Sequence, residues 1–454
     1  MDLAGSVISL PYTRSLIEWA DRLSHLPGFA YLDSGDAVEG SELELITALP
    51  TKTFAAQDYS TNLANWMTEI ERALAATFEA AVTIGTAGIF NGALVLGSLD
   101  YDTPAAALAR LSAPPSQALA GLYHWILVSH PKSATTEVLY HPHCPEETRR
   151  QVESALNNEA SPPSRPFALT EDFAPSISKA DYRQAVERIQ EYILAGDCYQ
   201  VNFAQRFQAP FSGDSWEGYR TARQKLAGGF SSFIRTQDNR AILSLSPERF
   251  IRIDQGKIVT QPIKGTAPRH SDARKDYQLA QALMASEKDR AENVMITDLL
   301  RNDLGQFCQA GSVKVTELCG LHSFGNVHHL ISTVEGLLKP HLTPGQVFIA
   351  TSPGGSITGA PKKRAVEIIN ELESHPRGAY CGSIFVMASE SWMQSSIAIR
   401  TLETKGEMLY CWGGGGITAG SHWEAEYQET LDKVGPIMAT IQRPNQCSGS
   451  SIPS

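Results

Sequence analysis

A single lysine within residues 261–269 has the surroundings of a reactive amine. Lys264 lies between Ile263 and Gly265, just after a strand-like run in which Pro262 is predicted to end regular ladder pairing. Gly265 permits a positive φ or the close approach of a ligand. A lysine in this position can lose part of its solvation, which lowers its pKa and makes a neutral, nucleophilic amine accessible near pH 7. The alternative is a solvated lysine in a turn, because lysine is rarely buried.

Two helix-like segments carry paired acids. Asp289 and Glu292 are three residues apart, and so are Glu426 and Glu429, so each pair projects from one helix face. Carboxylate oxygens from two helices suit Mg²⁺, which retains several waters in its coordination shell. The alternative is ordinary surface charge, in which Glu429 pairs with Lys433 one turn away.

A further carboxyl group could act as an acid. Glu248 follows Pro247 and precedes a strand-like run, about a hairpin's length before Lys264. In an apolar cleft its pKa rises, so it can serve as a general acid; the alternative is an ion pair with a neighbouring arginine. Arg400 ends an apolar strand-like run, where its planar guanidinium fits a carboxylate of either a ligand or the protein.

Two glycine-rich segments follow strand-like runs, and both are predicted to be turns. Residues 351–362 lead into a helix over 363–372, and the free N–H groups of this turn, with Ser356, form a predicted anion site. Residues 410–417 contain four consecutive glycines whose exposed amides could bind a carboxylate. Neither segment has the spacing of a P-loop or a dinucleotide-binding turn, and a plain hairpin turn is the alternative for the second.

Helical and strand-like segments alternate regularly through the second part of the chain. Ser178 is predicted to open an amphipathic helix, and strands are predicted over residues 200–207, 231–235, 241–245 and 249–253. In the first part, residues 62–77 have helical spacing, and residues 123–128 and 136–140 look like a strand pair. Because residues 157–175 form a Pro/Ser-rich linker, we predict three regions: an N-terminal domain over 1–165, a catalytic domain over 176–442 and a disordered tail over 443–454.

Composition describes a soluble globular protein. The chain has 454 residues, which is enough for two or three domains or for one large intertwined domain. Of these residues, 42% are hydrophobic and 19% are charged, as in ordinary globular proteins. The net charge of −11 argues against nucleic acid or an anionic membrane as a partner. The sequence predicts no transmembrane helix and no signal peptide. Its seven scattered cysteines indicate reduced, mostly buried thiols, so we predict a cytoplasmic protein.

Taken together, these segments resemble the chorismate-utilising enzymes, a family that includes anthranilate synthase component I, aminodeoxychorismate synthase component I, isochorismate synthase and salicylate synthase. The resemblance spans about residues 178–442, and its motifs occur in family order. The segments that carry it are residues 195–202 (AGDCYQVN), 245–250 (LSPERF), 262–266 (PIKGT), 288–293 (KDRAEN), 299–305 (LLRNDLG), 353–362 (PGGSITGAPK), 399–401 (IRT) and 426–429 (EYQE).

The resemblance implies an α+β fold with two packed, mostly antiparallel sheets and helices on the outside. It also implies one Mg²⁺ that holds a carboxylate of chorismate. By motif position, Glu292 and Glu429 would bind the metal directly, while Asp289 and Glu426 would act through water. The residues that match substrate-binding positions are Gln200, His329, Ser356, Tyr380, Arg400, Lys433 and, through their amides, Gly414, Gly415 and Gly416.

Two positions discriminate among the family's reactions. Members that add water usually have a lysine as base where this chain has Gln200, so amination is favoured over hydroxylation. Anthranilate synthases usually have alanine where this chain has Lys264, whereas lysine marks the aminodeoxychorismate synthases. The resemblance then implies that Lys264 attacks C2 of chorismate while Glu248 protonates the departing C4 hydroxyl. Ammonia would add at C4 and release the lysine, giving 4-amino-4-deoxychorismate for 4-aminobenzoate and folate synthesis.

The resemblance also implies a partner and an effector pocket. The chain has no cysteine in a glutaminase-like nucleophile turn, so ammonia would come from a separate glutamine amidotransferase component. The effector pocket, where some members hold tryptophan, would involve Ser34, Ser41 and Phe230. Glu42 replaces the usual arginine and residues 228–231 lack the usual proline, so the sequence disfavours retained tryptophan binding.

Three alternative functions fit the sequence less well. Lys264 argues against anthranilate synthase component I with feedback inhibition. The complete set of acid, nucleophile and metal ligands argues against a non-catalytic regulator that binds chorismate or an amino acid such as tryptophan. A Schiff-base lysine enzyme would not need the paired acids, and the sequence has no phosphate-cofactor site for one.

Overall fold

Two large antiparallel sheets form the core of the molecule. The computed structural model describes residues 6–33, 43–59, 62–78, 90–112, 114–131, 133–158, 164–236, 240–324 and 327–441. In these residues, 13 strands form one sheet and ten form the other, and every strand pair is antiparallel. The predicted α+β fold with two mostly antiparallel sheets is therefore confirmed.

Eleven α-helices occur in the described residues. Numbered in chain order, they are α1 (Ile17–Leu23), α2 (Leu63–Phe78), α3 (Asp102–Ala109), α4 (Glu146–Asn157), α5 (Lys179–Leu194), α6 (Ser215–Leu226), α7 (Ala273–Ala285), α8 (Glu287–Gly305), α9 (Pro344–Thr351), α10 (Lys362–Leu372) and α11 (Trp423–Thr440). Two short 3₁₀ helices span Ala56–Tyr59 and Gly355–Ile357. None of the helices in the described ranges combines the length and apolar character needed to cross a membrane.

The first sheet contains the strands β1 (Ser6–Leu10), β2 (Ala30–Asp33), β3 (Glu44–Thr47), β7 (Trp125–His130), β8 (Thr135–Tyr140), β9 (Ala168–Leu169), β10 (Ala174–Pro175), β11 (Gln200–Ser212), β12 (Phe230–Arg235), β13 (Ala241–Ser246), β19 (Gly359–Ala360), β22 (Thr401–Lys405) and β23 (Met408–Ile417). Their order is β1-β8-β7-β3-β2-β12-β13-β22-β23-β11-β10, and β9 and β19 also pair with β11.

The second sheet contains the strands β4 (Lys52–Ala55), β5 (Leu94–Leu99), β6 (Leu119–Tyr123), β14 (Arg249–Asp254), β15 (Lys257–Gln261), β16 (Ile263–Pro268), β17 (Lys314–Phe324), β18 (Val327–Leu337), β20 (Ser383–Ser389) and β21 (Trp392–Ile397). Their order is β16-β18-β15-β14-β21-β20-β5-β6-β4, and β17 pairs with β18.

Both sheets contain strands from both predicted domains. In the first sheet, β2 pairs with β12, so that Leu32 lies opposite Ser232. In the second sheet, β5 pairs with β20, so that Leu96 lies opposite Val386. The N-terminal and C-terminal parts of the chain are thus intertwined through main-chain hydrogen bonds. The predicted tail, residues 443–454, lies outside the described residues.

Several local predictions are confirmed. Ser178 caps α5 through a capping box in which its side chain accepts from the backbone of Asp181. Helix α2 buries Trp66, Ile70 and Leu74 on one face, as its spacing predicted. The predicted strand pair corresponds to β7 and β8. Within the described chain the six cysteines are free, and five of them are buried.

The four-glycine segment is a strand, so the prediction of a turn there was wrong. Gly413 and Gly416 lie in β23, opposite Gln205 and Asn202 of β11. A Cβ atom at Gly413 would lie 2.7 Å from Val434 Cγ1 of α11. Glycine at this position allows helix α11 to pack directly against the backbone of the strand. Such a close approach is one of the reasons for which glycine occurs within strands.

Candidate active site

The predicted catalytic residues converge on one cavity of about 1240 Å³. Strands β16, β18 and β23 and helices α8 and α11 contribute to its wall. The predicted residues that line it are Phe230, Glu248, Lys264, Asp289, Glu292, His329, Ser356, Tyr380, Arg400, Gly414, Gly415, Gly416, Glu429 and Lys433. In the described structure, all lining residues fall between Asn202 and Ile437, so the second part of the chain builds this wall.

Lys264 lies in a β-bulge. The register between β16 and β18 shifts between Ile263 and Thr266, which places Lys264 and Gly265 in the irregular segment. Gly265 has a φ of +86°, as predicted, and a Cβ atom there would lie only 3.0 Å from Asp289 Cβ. Glycine at this point therefore lets the bulge approach α8 closely.

Pro262 interrupts the ladder for one residue and does not end it, in contrast to the prediction. The strand before the proline and the strand after it pair with the same neighbour: Thr260 lies opposite Val334, and Ile263 lies opposite Ile331, both on β18. The chain can continue along β18 because the Pro262 carbonyl still accepts a hydrogen bond from the backbone N–H of Ser332 (3.2 Å). Lys264 therefore lies in a strand at the edge of the sheet and not in a free turn.

The ammonium group of Lys264 lies in an environment that disfavours its charge. Burial lowers the pKa of Lys264, and the nearby Lys433 lowers it further. Glu292, Glu248 and Glu429 act in the opposite direction, but they do not restore the ordinary value. Within the described residues the side chain of Lys264 forms no hydrogen bond and no ion pair within 4.0 Å, so its amine is not engaged by the protein.

Glu248 is held rigidly between β13 and β14. Its backbone N–H donates to Ser246 Oγ (3.1 Å), and its carbonyl accepts from the backbone of Ile397 (3.2 Å). Its buried carboxyl group accepts a hydrogen bond from Ser356 Oγ (2.6 Å). Burial raises the pKa of Glu248 to about 7, although Ser356 and Lys264 oppose the shift. No arginine in the described chain pairs with this carboxyl group, so the ion-pair alternative is not what the structure adopts.

The acids of α8 and α11 face one another around a cation. Lys288 Nζ lies 3.9 Å from a carboxylate oxygen of each of Glu292, Glu426 and Glu429. Burial raises the pKa of Glu292. Burial also raises that of Glu429, but Lys433 and Lys288 outweigh it and hold the pKa below its ordinary value. The sequence interpretation did not select Lys288, although it begins the KDRAEN motif.

This donor set fits a magnesium ion. Carboxylates from two helices converge on one positive charge, and hard oxygen ligands are what Mg²⁺ prefers. Magnesium–oxygen distances are about 2.0–2.1 Å, so the acids would have to approach more closely than the 3.9 Å at which they surround Lys288. The side chain of Lys288 is 63% exposed and can move aside.

Arg400 and His329 present unpaired polar groups to the cavity. Arg400 follows β21 with a φ of +51°, and burial lowers its pKa. In the described residues it has no acidic partner, so the protein salt bridge considered above is not formed. His329 Nδ1 is hydrogen-bonded to Thr266 Oγ1 (2.9 Å), while its Nε2 has no partner there. Burial and Arg400 lower the pKa of His329 to about 3, so the imidazole is neutral.

The glycine strand and Lys433 form another wall. Lys433 Nζ donates to the carbonyl of Gly414 (2.9 Å) and pairs with Glu429 (2.8 Å). Strand β22 pairs with β23 only as far as Cys411. Among the described strands, the glycine run is therefore paired with β11 on one edge and has no strand partner on the other. A Cβ atom at Gly415 would lie 3.2 Å from Glu426 Oε2, which places this acid behind the strand.

Of two other predicted substrate-binding residues, Tyr380 lines the cavity and Gln200 lies behind its glycine strand. Tyr380 is buried, stacks on Trp412 with ring planes 7° apart, and lines the cavity. Gln200 is buried behind Gly416, where a Cβ atom would lie 2.8 Å from Gln200 Cδ. Both polar atoms of the Gln200 amide lack hydrogen-bond partners in the described part of the chain.

The described structure contains one of the three predicted effector residues, Phe230. Ser34 and Ser41 lie outside the described residues. Phe230 lines the same cavity as Lys264, with the Arg249 guanidinium 5.3 Å from its ring centre. The effector pocket stays a prediction.

Comparison with known proteins identifies the family. The model for the chorismate binding enzyme matches residues 28–439. The chain belongs to this family. Among family members, aminodeoxychorismate synthase component 1 of Salmonella typhimurium strain LT2 is 39% identical, over 97% of this chain and 99% of that protein. Anthranilate synthase component 1 of Bacillus subtilis strain 168 is 38% identical, over 60% of this chain and 52% of that protein.

The fold of the family is shared as well. The crystal structure of anthranilate synthase component I from Streptococcus pneumoniae TIGR4 matches with a TM-score of 0.70 and 25% identity, over 96% of this chain and 92% of that one. The resemblance inferred from the motifs, including that to aminodeoxychorismate synthase component I, is therefore confirmed.

Proposed function

We propose that this protein aminates chorismate to 4-amino-4-deoxychorismate. The observation that carries the proposal is the unpaired Lys264 amine, with its lowered pKa, lining the same cavity as the protonatable Glu248. The near full-length match to aminodeoxychorismate synthase component 1 supports this reaction over that of anthranilate synthase, whose match covers 60% of the chain.

Chorismate is a dianion, and the cavity offers two distinct ways to bind its carboxylates. Arg400 carries a guanidinium with no acidic partner in the described chain, so it can bind one carboxylate bidentately. The acids of α8 and α11 would hold Mg²⁺, with Glu292 and Glu429 as direct ligands and Asp289 and Glu426 acting through water. When bound, the metal would supply positive charge to the other carboxylate.

The reaction would proceed through a covalent intermediate on Lys264. The neutral amine attacks C2, the ring double bond shifts, and the C4–oxygen bond breaks as Glu248 gives its proton to the departing hydroxyl, which leaves as water. In the second step ammonia forms a bond to C4, the double bond shifts back, and the C2–nitrogen bond breaks. The proton lost by the incoming ammonia returns to the Glu248 carboxylate. Two displacement steps thus replace one, as in other nucleophilic catalysis.

Ammonia must reach the cavity from outside the chain. We propose that a glutamine amidotransferase component supplies it, because the sequence has no glutaminase-like nucleophile turn. The product would serve 4-aminobenzoate and folate synthesis after a separate lyase step. Glutamine-dependent turnover by the isolated chain would contradict the need for this partner.

Mass spectrometry of the intact protein tests the covalent step. With chorismate and Mg²⁺ in ammonia-free buffer, the wild type should gain the mass of chorismate less one water, and peptide mapping should locate the adduct at Lys264. Lys264→Ala should give no adduct but retain some amination at high free ammonia. EDTA should suppress adduct formation in the wild type.

A matched control substitutes a lysine outside the cavity. Lys257 precedes Lys264 on the same sheet, and its side chain is 52% exposed. Lys257→Ala should form the adduct like the wild type. An adduct that persists in Lys264→Ala, or its absence from the wild type, would overturn the covalent mechanism. Fluorescent anthranilate formed without an added lyase would instead favour the anthranilate synthase reaction.

A further inference from the structure

Three histidines cluster outside the candidate active site. His124 joins β6 to β7, while His141 and His143 follow β8. One potential ligand atom from each residue lies within 4.8 Å of those of the other two. The centre of the His141 ring lies 5.1 Å from that of His124 and 5.0 Å from that of His143. None of the three lines the cavity that contains Lys264.

A hydrogen bond orients the ring of His124. Thr51 Oγ1 lies 2.8 Å from His124 Nδ1 and 3.2 Å from the carbonyl of Leu122, so it accepts from Nδ1 when its own proton goes to that carbonyl. In this tautomer the proton of His124 is on Nδ1, and Nε2 keeps a free lone pair. A hydrogen bond from the second ring nitrogen is what orients a histidine for metal binding.

The tautomer of His141 is determined by a carbonyl, which can only accept a hydrogen bond. Its Nε2 donates to the carbonyl of Thr77 (3.0 Å), which leaves the lone pair on Nδ1. This lone pair accepts the backbone N–H of His143 (3.1 Å). Because His143 is exposed, water can take over that amide when a metal ion binds Nδ1.

Burial favours the neutral rings that metal binding requires. His124 and His141 are 8% and 0% exposed. The exposed ring of His143 leaves one side of the cluster open to solvent, which gives a metal ion a route of entry and a position for water.

We propose that His124, His141 and His143 form a Zn²⁺ site with water in the fourth position. Three imidazoles with an open position are a ligand set that Zn²⁺ accepts in tetrahedral geometry. In this structure His124 is the single residue between β6 of the second sheet and β7 of the first. The ion would therefore link two segments: the crossing between the sheets at His124, and the loop after β8 that contains His141 and His143.

The test measures zinc binding to the full chain after metal is removed with EDTA. Isothermal titration with ZnCl₂ should show one tight site per chain, and zinc should raise the Tm of the wild type because it binds the folded state. His143→Ala removes an exposed ligand without disturbing the core. It should weaken zinc binding at least about tenfold and abolish the Tm increase.

Two further variants separate ligand loss from other effects. His143→Asp keeps a ligand atom and should retain zinc binding. His341→Ala removes an exposed histidine far along the sequence and should bind zinc like the wild type. Equal zinc affinity in the wild type and His143→Ala would overturn the proposal. Zinc binding that is lost in Glu292→Ala but kept in His143→Ala would place the ion at the acidic helices and also overturn it.

Discussion

Burial acts in opposite directions on the two residues proposed to carry the chemistry. It raises the pKa of Glu248 to about 7 and lowers that of Lys264, because a low dielectric disfavours the charged form of each. Both shifts therefore favour a neutral carboxylic acid and a neutral amine in one cavity. This is the combination that nucleophilic attack with assistance to the leaving group requires.

The buried carboxyl group of Glu248 should make stability depend on pH. Its folded pKa of about 7 exceeds the ordinary value of 4.5, so the unfolded chain ionises first as the pH rises. The wild type then loses up to about 3 kcal/mol of unfolding free energy between these two pKa values. Glu248→Gln has no proton to lose, so it should become more stable relative to the wild type between pH 4 and pH 8.

Urea denaturation at the two pH values measures this difference. Glu407, an exposed acid outside the cavity, provides the control: Glu407→Gln should follow the pH dependence of the wild type. If Glu248→Gln differs from the wild type by the same amount at both pH values, the raised pKa is excluded.

At the level of elements, the site depends on how closely β23 packs against its neighbours. Gly413 faces α11, and Gly415 faces Glu426 on the same helix. A Cβ atom at Gly414 would lie 2.8 Å from Ala204 Cα of β11. The glycines thus bring the acid-bearing helix and the paired strand against the same short backbone segment.

Gly414→Ala should destabilise the protein through this close contact. The added methyl group meets backbone atoms of β11, which can move only if the strand pairing distorts, so we expect a loss of about 1–3 kcal/mol. Thermal unfolding should show a lower Tm. Gly420→Ala is the matched control, because a Cβ atom there would meet nothing within 4 Å. Equal Tm values for the two variants would contradict this view of the glycine strand.

At the scale of the whole molecule, one part of the chain lines the cavity, whereas both parts of the chain form the sheets. In the described residues the cavity is lined only by the second part of the chain. Its sheets are nevertheless completed by the first part, through the β2–β12 and β5–β20 pairs. The described residues of the N-terminal part therefore support the site without lining it.

Residues 176–442 expressed alone should fail to fold cooperatively. They would leave β12 and β20 with unpaired edges, which expose hydrogen-bonding groups and favour aggregation. Size-exclusion chromatography and calorimetry should show aggregates and no cooperative transition, and co-expression with residues 1–165 should restore both a soluble complex and the transition. Cooperative unfolding of the isolated fragment would show that the catalytic part is independent.

Local patterns were sufficient for much of the fold and the site. The capping box at Ser178, the apolar face of α2 and the i,i+3 acid pairs depend on residues close in sequence, so they could be recognised without a structure. The family motifs selected Lys264 and Glu248 because reactive groups occur in short, distinctive segments.

Local sequence patterns could not predict the burial of side chains or the pairing of segments that are distant in sequence. The pKa values of Glu248 and Lys264 depend on how much solvent the assembled cavity excludes, and the position of Lys288 depends on two helices far apart in sequence. Glycine fits both a turn and a closely packed strand, so residues 413–416 were assigned wrongly from composition alone. The shared sheets likewise arise only when strands from separate parts of the chain come together, because their partners are set by three-dimensional packing.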